Sequence, residues 1–196
     1  MEIISKALAP AGMALGGGCE VLLHSDAVQA HAESYIGLVE CGVGLVPGWG
    51  GNGEMLDRFA KAPMLPKGPM PPAAKAFEMI STAQVSKSAA EAKEMMFLRP
   101  ADGITMNRDR LLADAKARAL ALVDGYRAPE PPTFRLPGES GRVGIAGVVA
   151  DFRRKGVATA YDAVATPFRR KSATTPAMPT RPLSPGRRKV GGSGAR

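Results

Sequence analysis

The sequence predicts an α/β layered fold in its first third, followed by a mainly helical region. Short apolar stretches alternate there with helix-prone stretches, and glycine-rich turns separate them. Such alternation is typical of layered α/β domains. The hydrophobic fraction of 45% and the charged fraction of 22% are ordinary for a globular protein. A chain of 196 residues is long enough for one domain with a sizeable core.

The elements of the first third follow from local signals. Residues 7–15 are apolar, but Pro10 and Gly12 interrupt them and limit any strand to short pieces. Three consecutive glycines then precede a run that is typical of the start of a buried helix. The predicted order is a strand at 7–15, a helix at 19–24, one or two strands within 27–35, a glycine-rich loop at 42–53 and a helix over 54–59.

The remaining two thirds read as helices separated by proline-rich connections. Five prolines within residues 63–72 predict a connection and no regular element. Ser88 followed by Glu91 has the spacing of a capping box. Helices are predicted within 73–97, over 108–126 and over 143–155. The predicted units are a partial α/β core (1–62), a helical region (63–164) and a disordered basic tail (165–196).

The net charge of +8 comes from the end of the chain. Of the 26 Lys and Arg residues, eight lie beyond Asp162, where no acid follows, and the other 18 equal the 18 Asp and Glu residues. The tail is rich in Pro, Ser, Gly and Arg, so it cannot bury enough apolar surface to offset its ordering entropy. Because the tail lacks interleaved aromatic residues, we expect no specific nucleic-acid partner.

Several other classes of protein are disfavoured. No apolar run is long enough to cross a bilayer, and the first residues lack a signal-peptide pattern, so we expect a cytoplasmic protein without a membrane partner. Two cysteines are too few for a disulfide scaffold, and we expect both thiols to be reduced. No metal site is predicted, because Cys19, His24, His31 and Cys41 lack a recognisable ligand spacing.

The informative motif is the glycine run before Glu20. Glycines without Cβ atoms let a ligand approach the backbone closely. The first N–H groups of the following helix have no internal partner, and such donors can stabilise a negative oxygen. Glu20 lies three residues beyond the middle glycine, which places its carboxylate one helical turn into the same site.

This motif belongs to a longer pattern that resembles the crotonase family of enoyl-CoA hydratases and isomerases. Twenty residues separate Glu20 from Glu40, which is the spacing of the family's two catalytic glutamates. The segments that carry the resemblance are Ala14-Leu15-Gly16-Gly17-Gly18-Cys19-Glu20, Ser25-Asp26-Ala27, Gly37-Leu38-Val39-Glu40 and Gly44-Leu45-Val46-Pro47-Gly48-Trp49-Gly50-Gly51.

The resemblance implies a function for individual residues. It implies that Gly17 donates its N–H to the thioester oxygen, and that Glu20 and Glu40 hold the water that adds to an enoyl-CoA. The implied fold is the second part of the family's β-spiral, together with its helices. Further substrate-binding residues implied by the match are Gly16, Gly18, Pro47 and Gly48.

Later segments narrow the resemblance to bacterial 3-hydroxyacyl-CoA dehydrogenases that carry an enoyl-CoA hydratase domain. These segments are 49–51, 54–56, 66–72, 97–100 and 102–116. The implied process is fatty-acid β-oxidation, with an acyl-CoA substrate and a homo-oligomer or a dehydrogenase partner. No cofactor is expected in this chain, because NAD would bind the dehydrogenase part. The glycines at 48, 50 and 53 have the spacing of a dinucleotide-binding motif. They lie inside the turn that resembles crotonases, so we do not interpret them as an NAD site.

Two departures from the family leave alternatives open. The family's segment before the glycine run, with its second oxyanion donor, is expected to lie outside this chain, and the resemblance fades near residues 162–164. One alternative is therefore a truncated fragment that is inactive by itself. Another is an enoyl-CoA isomerase, because some relatives use a single glutamate to move a double bond.

Overall fold

The computed structural model describes residues 7–130 and 132–159, which form an α/β arrangement of short strands and helices. The predicted α/β class is confirmed. The strands are β1 (Ala7–Leu8), β2 (Met13–Leu15), β3 (Ala27–His31), β4 (Tyr35–Gly37), β5 (Val85–Ser86) and β6 (Gly103–Thr105). The helices are α1 (Gly17–Leu23), α2 (Gly51–Lys61), α3 (Met70–Ser81), α4 (Ala89–Glu94), α5 (Leu111–Ala121) and α6 (Gly138–Arg154), with 3₁₀ turns at Glu40–Val43 and Arg108–Arg110.

The first four strands alternate between two sheets. One sheet has the order β1-β3-β6 and is parallel, while the other has the order β2-β4-β5, in which β2 and β4 are parallel. The interruption at Pro10 and Gly12 divides the predicted first strand, and Gly12 adopts a φ of +78° where the chain passes between the sheets. Because Leu15 pairs with Gly37, β2 and β4 end side by side. The residues that follow them therefore meet at one edge of the sheet.

The main core lies between the sheets and helices α1 to α4. Its largest fully buried side chains include Leu23, Ile36, Met55 and Phe97. Each such side chain contributes about 1.5–3 kcal/mol through burial. A smaller cluster of Phe77, Ile145 and Val149 packs α6 against α3, so the last described helix has its own apolar contact.

A buried guanidinium connects the end of α1 to the segment after α4. Arg58 lies on α2 and donates to the carbonyl oxygens of Leu23, Met96 and Phe97, at 2.9, 3.0 and 2.8 Å. Burial, and to a smaller extent the positive charge of Arg99, lower the pKa of Arg58 to about 10. The side chain remains charged at neutral pH and fixes the helix that carries Glu20.

Several predicted boundaries are wrong for identifiable reasons. The predicted connection at 63–72 ends early, because α3 begins at Met70 with Pro71 and Pro72 in its first turn. A proline is tolerated there since those N–H groups have no helical partner. The helix-prone stretch 73–97 divides into α3, β5 and α4. Ser88 is confirmed as the cap of α4, where its Oγ accepts the N–H of Glu91 at 3.1 Å.

The two later helices differ from the predicted ranges mainly at their ends. Helix α6 begins at Gly138, before the predicted residue 143, and α5 ends at Ala121, before the predicted residue 126. The predicted disordered tail, 165–196, lies outside the described residues. Within the described ranges, none of the helices combines the length and the apolar character that a membrane crossing requires.

Candidate active site

Glu20 is buried and bound by the turn that precedes α2. It is the fourth residue of α1, which begins directly after β2, and its side chain is only 2% exposed. Its Oε1 accepts the backbone N–H groups of Trp49 and Gly51, both at 2.9 Å. Those donors lie at the start of α2, where the helix dipole also favours a negative charge. The carboxylate is therefore fixed in one orientation.

The turn at residues 47–51 depends on glycine. Gly50 has a φ of +98°, which other residues rarely adopt. A Cβ on Gly51 would lie 3.0 Å from both the Glu20 Oε1 atom and the Leu38 Cδ2 atom. Asn52 closes the turn by donating its side-chain amide to the carbonyl of Pro47 at 3.1 Å. The start of α2 can therefore approach Glu20 as closely as its two N–H bonds require.

Glu40 lies beside Gly16 at the end of β4. It is the first residue of the 3₁₀ turn and is half-buried. Its Oε2 is buried and has no hydrogen-bond partner among the described residues. A Cβ at position 16, where φ is +55°, would lie 3.2 Å from Glu40 Oε1. Gly16 thus lets the second carboxylate reach the start of α1.

The two carboxylates interact electrostatically, and this interaction affects the pKa of Glu40. Burial is the main cause that raises the pKa of Glu40 above its ordinary value, and the negative charge of Glu20 raises it further. Backbone N–H groups of Glu40 and Val39 act in the opposite direction. A buried carboxyl that lacks a full set of hydrogen-bond donors keeps its proton to higher pH.

The other predicted site residues lie around these two carboxylates. Gly17 and Gly18 are exposed in the first turn of α1, and a Cβ on either would meet nothing within 4 Å. There is open space beside both glycines for a ligand. Pro47 is buried in the turn, whereas Gly48 is exposed. Gly17 and Gly18 thus share α1 with Glu20, and Pro47 and Gly48 belong to the turn that binds its carboxylate.

Sequence reasoning missed three parts of the site. The N–H groups of Trp49 and Gly51 bind Glu20, and Asn52 stabilises their turn. The side chain of Trp49 is 84% exposed, so this residue contributes its backbone N–H to the site and little packing. His24 donates from Nδ1 to the Glu20 carbonyl at 2.8 Å, and its spacing of four residues from Glu20 was the available signal.

The nearby cysteine is chemically quiet. Cys19 precedes Glu20 and is fully buried. Burial raises the pKa of its thiol to about 12, so it remains protonated at neutral pH. Within residues 7–130 and 132–159, no three His, Cys, Asp or Glu residues are grouped to hold a metal ion. The carboxylate pair is the titratable centre of the site.

Comparisons with known proteins give related sequences and folds, although no model of a protein family matches the chain. The chain is 43% identical over 155 residues to a probable 3-hydroxyacyl-CoA dehydrogenase of Bacillus subtilis. That alignment covers 79% of this chain and 19% of the relative. A fatty acid oxidation complex subunit alpha of Idiomarina loihiensis is 54% identical over 41 residues, or 21% of this chain and 6% of that protein. A solved enoyl-CoA hydratase/isomerase from Cupriavidus metallidurans CH34 aligns with 62% of this chain and 39% of its own, at 21% identity and a TM-score of 0.47.

The chain spans about a fifth of the length of the Bacillus subtilis relative. The identity nevertheless extends along most of this chain, and both glutamates stand at the expected spacing, in the helix and the 3₁₀ turn that follow two neighbouring parallel strands. These findings together confirm the resemblance predicted from the sequence. The chain is thus similar to 3-hydroxyacyl-CoA dehydrogenases in sequence, and solved enoyl-CoA hydratase/isomerase structures align with it.

Proposed function

We propose that this chain carries a site for adding water to a trans-2-enoyl-CoA, giving a 3-hydroxyacyl-CoA in fatty-acid β-oxidation. One observation carries the proposal: Glu20 and Glu40 follow neighbouring parallel strands and interact electrostatically. The Glu40 carboxylate also lies next to Gly16, the residue just before the helix on which Glu20 lies. Paired carboxylates in different environments suit a reaction that both removes and delivers a proton.

The two carboxylates divide the proton transfers between them. The water oxygen forms a bond to C3 of the substrate while one carboxyl accepts a proton from that water. The other carboxyl delivers a proton to C2, which converts the double bond to a single bond. The raised pKa of Glu40 suits the proton donor, and the two N–H bonds to Glu20 suit the charged acceptor. Because the groups are coupled, their titration belongs to the pair.

Negative charge moves to the thioester oxygen as water attacks. In the proposed site the N–H of Gly17 donates to that oxygen, and its neighbours Gly16 and Gly18 leave room for the thioester. Loss of one such donor typically costs about 10²–10³-fold in rate. Pro47 and Gly48 would border the substrate on the other side. Coenzyme A belongs to the substrate, so this reaction uses no separate cofactor.

The names of the relatives agree with this reaction. A 3-hydroxyacyl-CoA is the compound on which a 3-hydroxyacyl-CoA dehydrogenase acts, and the Bacillus subtilis relative carries that name. A dehydrogenase that oxidises the product would therefore be a suitable partner. We propose that the chain acts on acyl-CoA in the cytoplasm, either with such a partner or as a homo-oligomer.

The test is the loss of enoyl-thioester absorbance when the purified chain is mixed with crotonyl-CoA. Glu20→Gln and Glu40→Gln should each lower the rate by about 10²-fold or more, because each removes a proton-transfer group. Glu94→Gln is the matched control, since Glu94 is exposed on α4. Unchanged turnover in either of the first two variants would overturn the assignment.

A second candidate is a chain that does not turn over by itself. The observation that favours it is exposed apolar surface beside the site: Met13 is 78% exposed, Val43 75% and Trp49 84%. In addition, β2 pairs with a single described strand, β4. Absence of crotonyl-CoA hydration by a folded chain would support this candidate. Conversion of a trans-3-enoyl-CoA without hydration would support an isomerase.

A further inference from the structure

The ring of His24 closes the end of α1. Its backbone N–H and its Nδ1 both lie within hydrogen-bond distance of the Glu20 carbonyl oxygen, at 3.2 and 2.8 Å. A carbonyl oxygen can only accept, so Nδ1 carries a hydrogen in this arrangement. The ring is therefore anchored to the backbone of the residue whose side chain is the buried carboxylate.

The opposite edge of the same ring contacts the turn that binds this carboxylate. A Cβ on Gly50 would lie 2.9 Å from Nε2 of His24 and 3.1 Å from Cε1. The ring therefore occupies the space that a side chain at position 50 would fill, next to the backbone of Gly50. A ring moved away to relieve such a contact would lose its bond to the Glu20 carbonyl.

Gly50 stands between the two donors to Glu20. The N–H groups of Trp49 and Gly51, on either side of it, both bind Glu20 Oε1. Glu20 is consequently connected to the turn twice, once through its carboxylate and once through its carbonyl and the His24 ring. The four contacts form a closed loop that restricts movement of the turn relative to the carboxylate.

We propose that His24 is a positioning residue, which holds the residue 49–51 turn in place and so orients the Glu20 carboxylate. Its effect on turnover rests on the proposed function, whereas its effect on the turn does not. The ring is exposed at the protein surface, so its removal should leave the core and the overall fold intact. His24 acts through Gly50 and Glu20 and does not contact the reacting atoms.

The first experiment measures amide hydrogen exchange by NMR in the parent chain and in His24→Ala. We expect the Trp49 and Gly51 amides to exchange about fivefold faster in the variant, which corresponds to one modest contact. His24→Asn keeps a donor near the Nδ1 position but lacks the far edge of the ring, and should also speed exchange at these amides. The other histidine provides the control: His31→Ala, at the end of β3, should change neither amide.

A double-mutant cycle tests whether the ring acts through Gly50. Gly50→Ala suffers from its positive φ in any background, but it meets the ring only when His24 is present. We therefore expect Gly50→Ala to speed exchange at Gly51 by a smaller factor in the His24→Ala background. Independent, multiplicative effects of the two changes would overturn the proposed contact.

Turnover separates this inference from the proposed function. If crotonyl-CoA is hydrated, His24→Ala should lower kcat by about the factor seen in exchange while KM stays constant, because carboxylate orientation affects the chemical step. Unchanged exchange at Trp49 and Gly51 overturns the positioning role, whatever the activity. Faster exchange in a chain without turnover supports the positioning role and contradicts only the proposed function.

Discussion

Replacement of Arg58 should show how strongly one buried side chain fixes the site. Its guanidinium donates to carbonyl oxygens of Leu23, Met96 and Phe97, which lie on two distant segments of the chain. Arg58→Met keeps much of the buried volume but removes all three donors. No apolar side chain can replace these bonds, so the carbonyl groups of Met96 and Phe97 lose their side-chain donor, and that of Leu23 keeps only the longer bond from Arg99, at 3.4 Å.

The magnitude follows from these three bonds. A hydrogen bond to a charged donor contributes about 1.5–3 kcal/mol, and bonds from one group are not additive. The buried charge itself carries a desolvation cost, which is why burial lowers the pKa of Arg58 to about 10. Allowing for that cost, we expect Arg58→Met to lower the free energy of unfolding by about 3–5 kcal/mol. Arg58→Lys keeps the charge but loses the planar guanidinium that reaches three carbonyl oxygens. It should lower the free energy of unfolding by about 1–2 kcal/mol.

Urea unfolding followed by circular dichroism measures these changes. Arg142→Met is the matched control, because Arg142 pairs with Glu139 at 2.7 Å on the exposed face of α6. An exposed pair of this kind contributes little, so the control should lie within about 0.5 kcal/mol of the parent chain. An Arg58→Met variant as stable as this control would show that the three bonds do not stabilise the fold.

Three further predictions concern packing, pH and thiol reactivity. Gly37→Ala should lower stability by about 1–3 kcal/mol in thermal unfolding, because its Cβ would lie 2.5 Å from the Gln84 carbonyl oxygen; an unchanged melting temperature would contradict this. Folding raises the pKa of Glu40, so this carboxyl binds its proton more tightly in the folded chain than in the unfolded chain. The free energy of unfolding should therefore fall as pH rises from the ordinary carboxyl pKa through the raised one. Glu40→Gln should flatten that part of the urea-derived profile, and an unaltered slope would count against the raised pKa. Cys19, with its buried thiol and a pKa raised to about 12, should resist a thiol reagent at mildly alkaline pH until the chain unfolds, and rapid labelling of the folded chain would disprove its burial.

The α/β class and the two glutamates could be predicted because their signals are local or lie in a fixed sequence pattern. The break at Pro10 and Gly12 separates β1 from β2, as the residue types require. The spacing of Glu20 and Glu40 reflects two parallel strands that end in register. Neither conclusion needs knowledge of distant contacts.

Other features depend on contacts between segments far apart in the sequence. Strands β5 and β6 have two and three residues, too few for a periodic pattern, and they form because neighbouring strands supply their partners. The N–H donors of Trp49 and Gly51 reach Glu20 across about thirty residues of chain. Backbone donors leave no signal in residue identity, so the turn could be predicted as glycine-rich but not as the partner of this carboxylate.

The origin of the oxygen in the product shows whether Glu20 and Glu40 activate water. We would incubate the purified chain with a trans-2-enoyl-CoA in ¹⁸O-labelled water and analyse the acyl-CoA by mass spectrometry. We expect the parent chain to incorporate one labelled oxygen at C3, and Glu20→Gln and Glu40→Gln to incorporate it only at the uncatalysed rate. Equal incorporation by the parent chain and both variants, or none by a folded parent chain, would contradict a water-activating role for the two carboxylates.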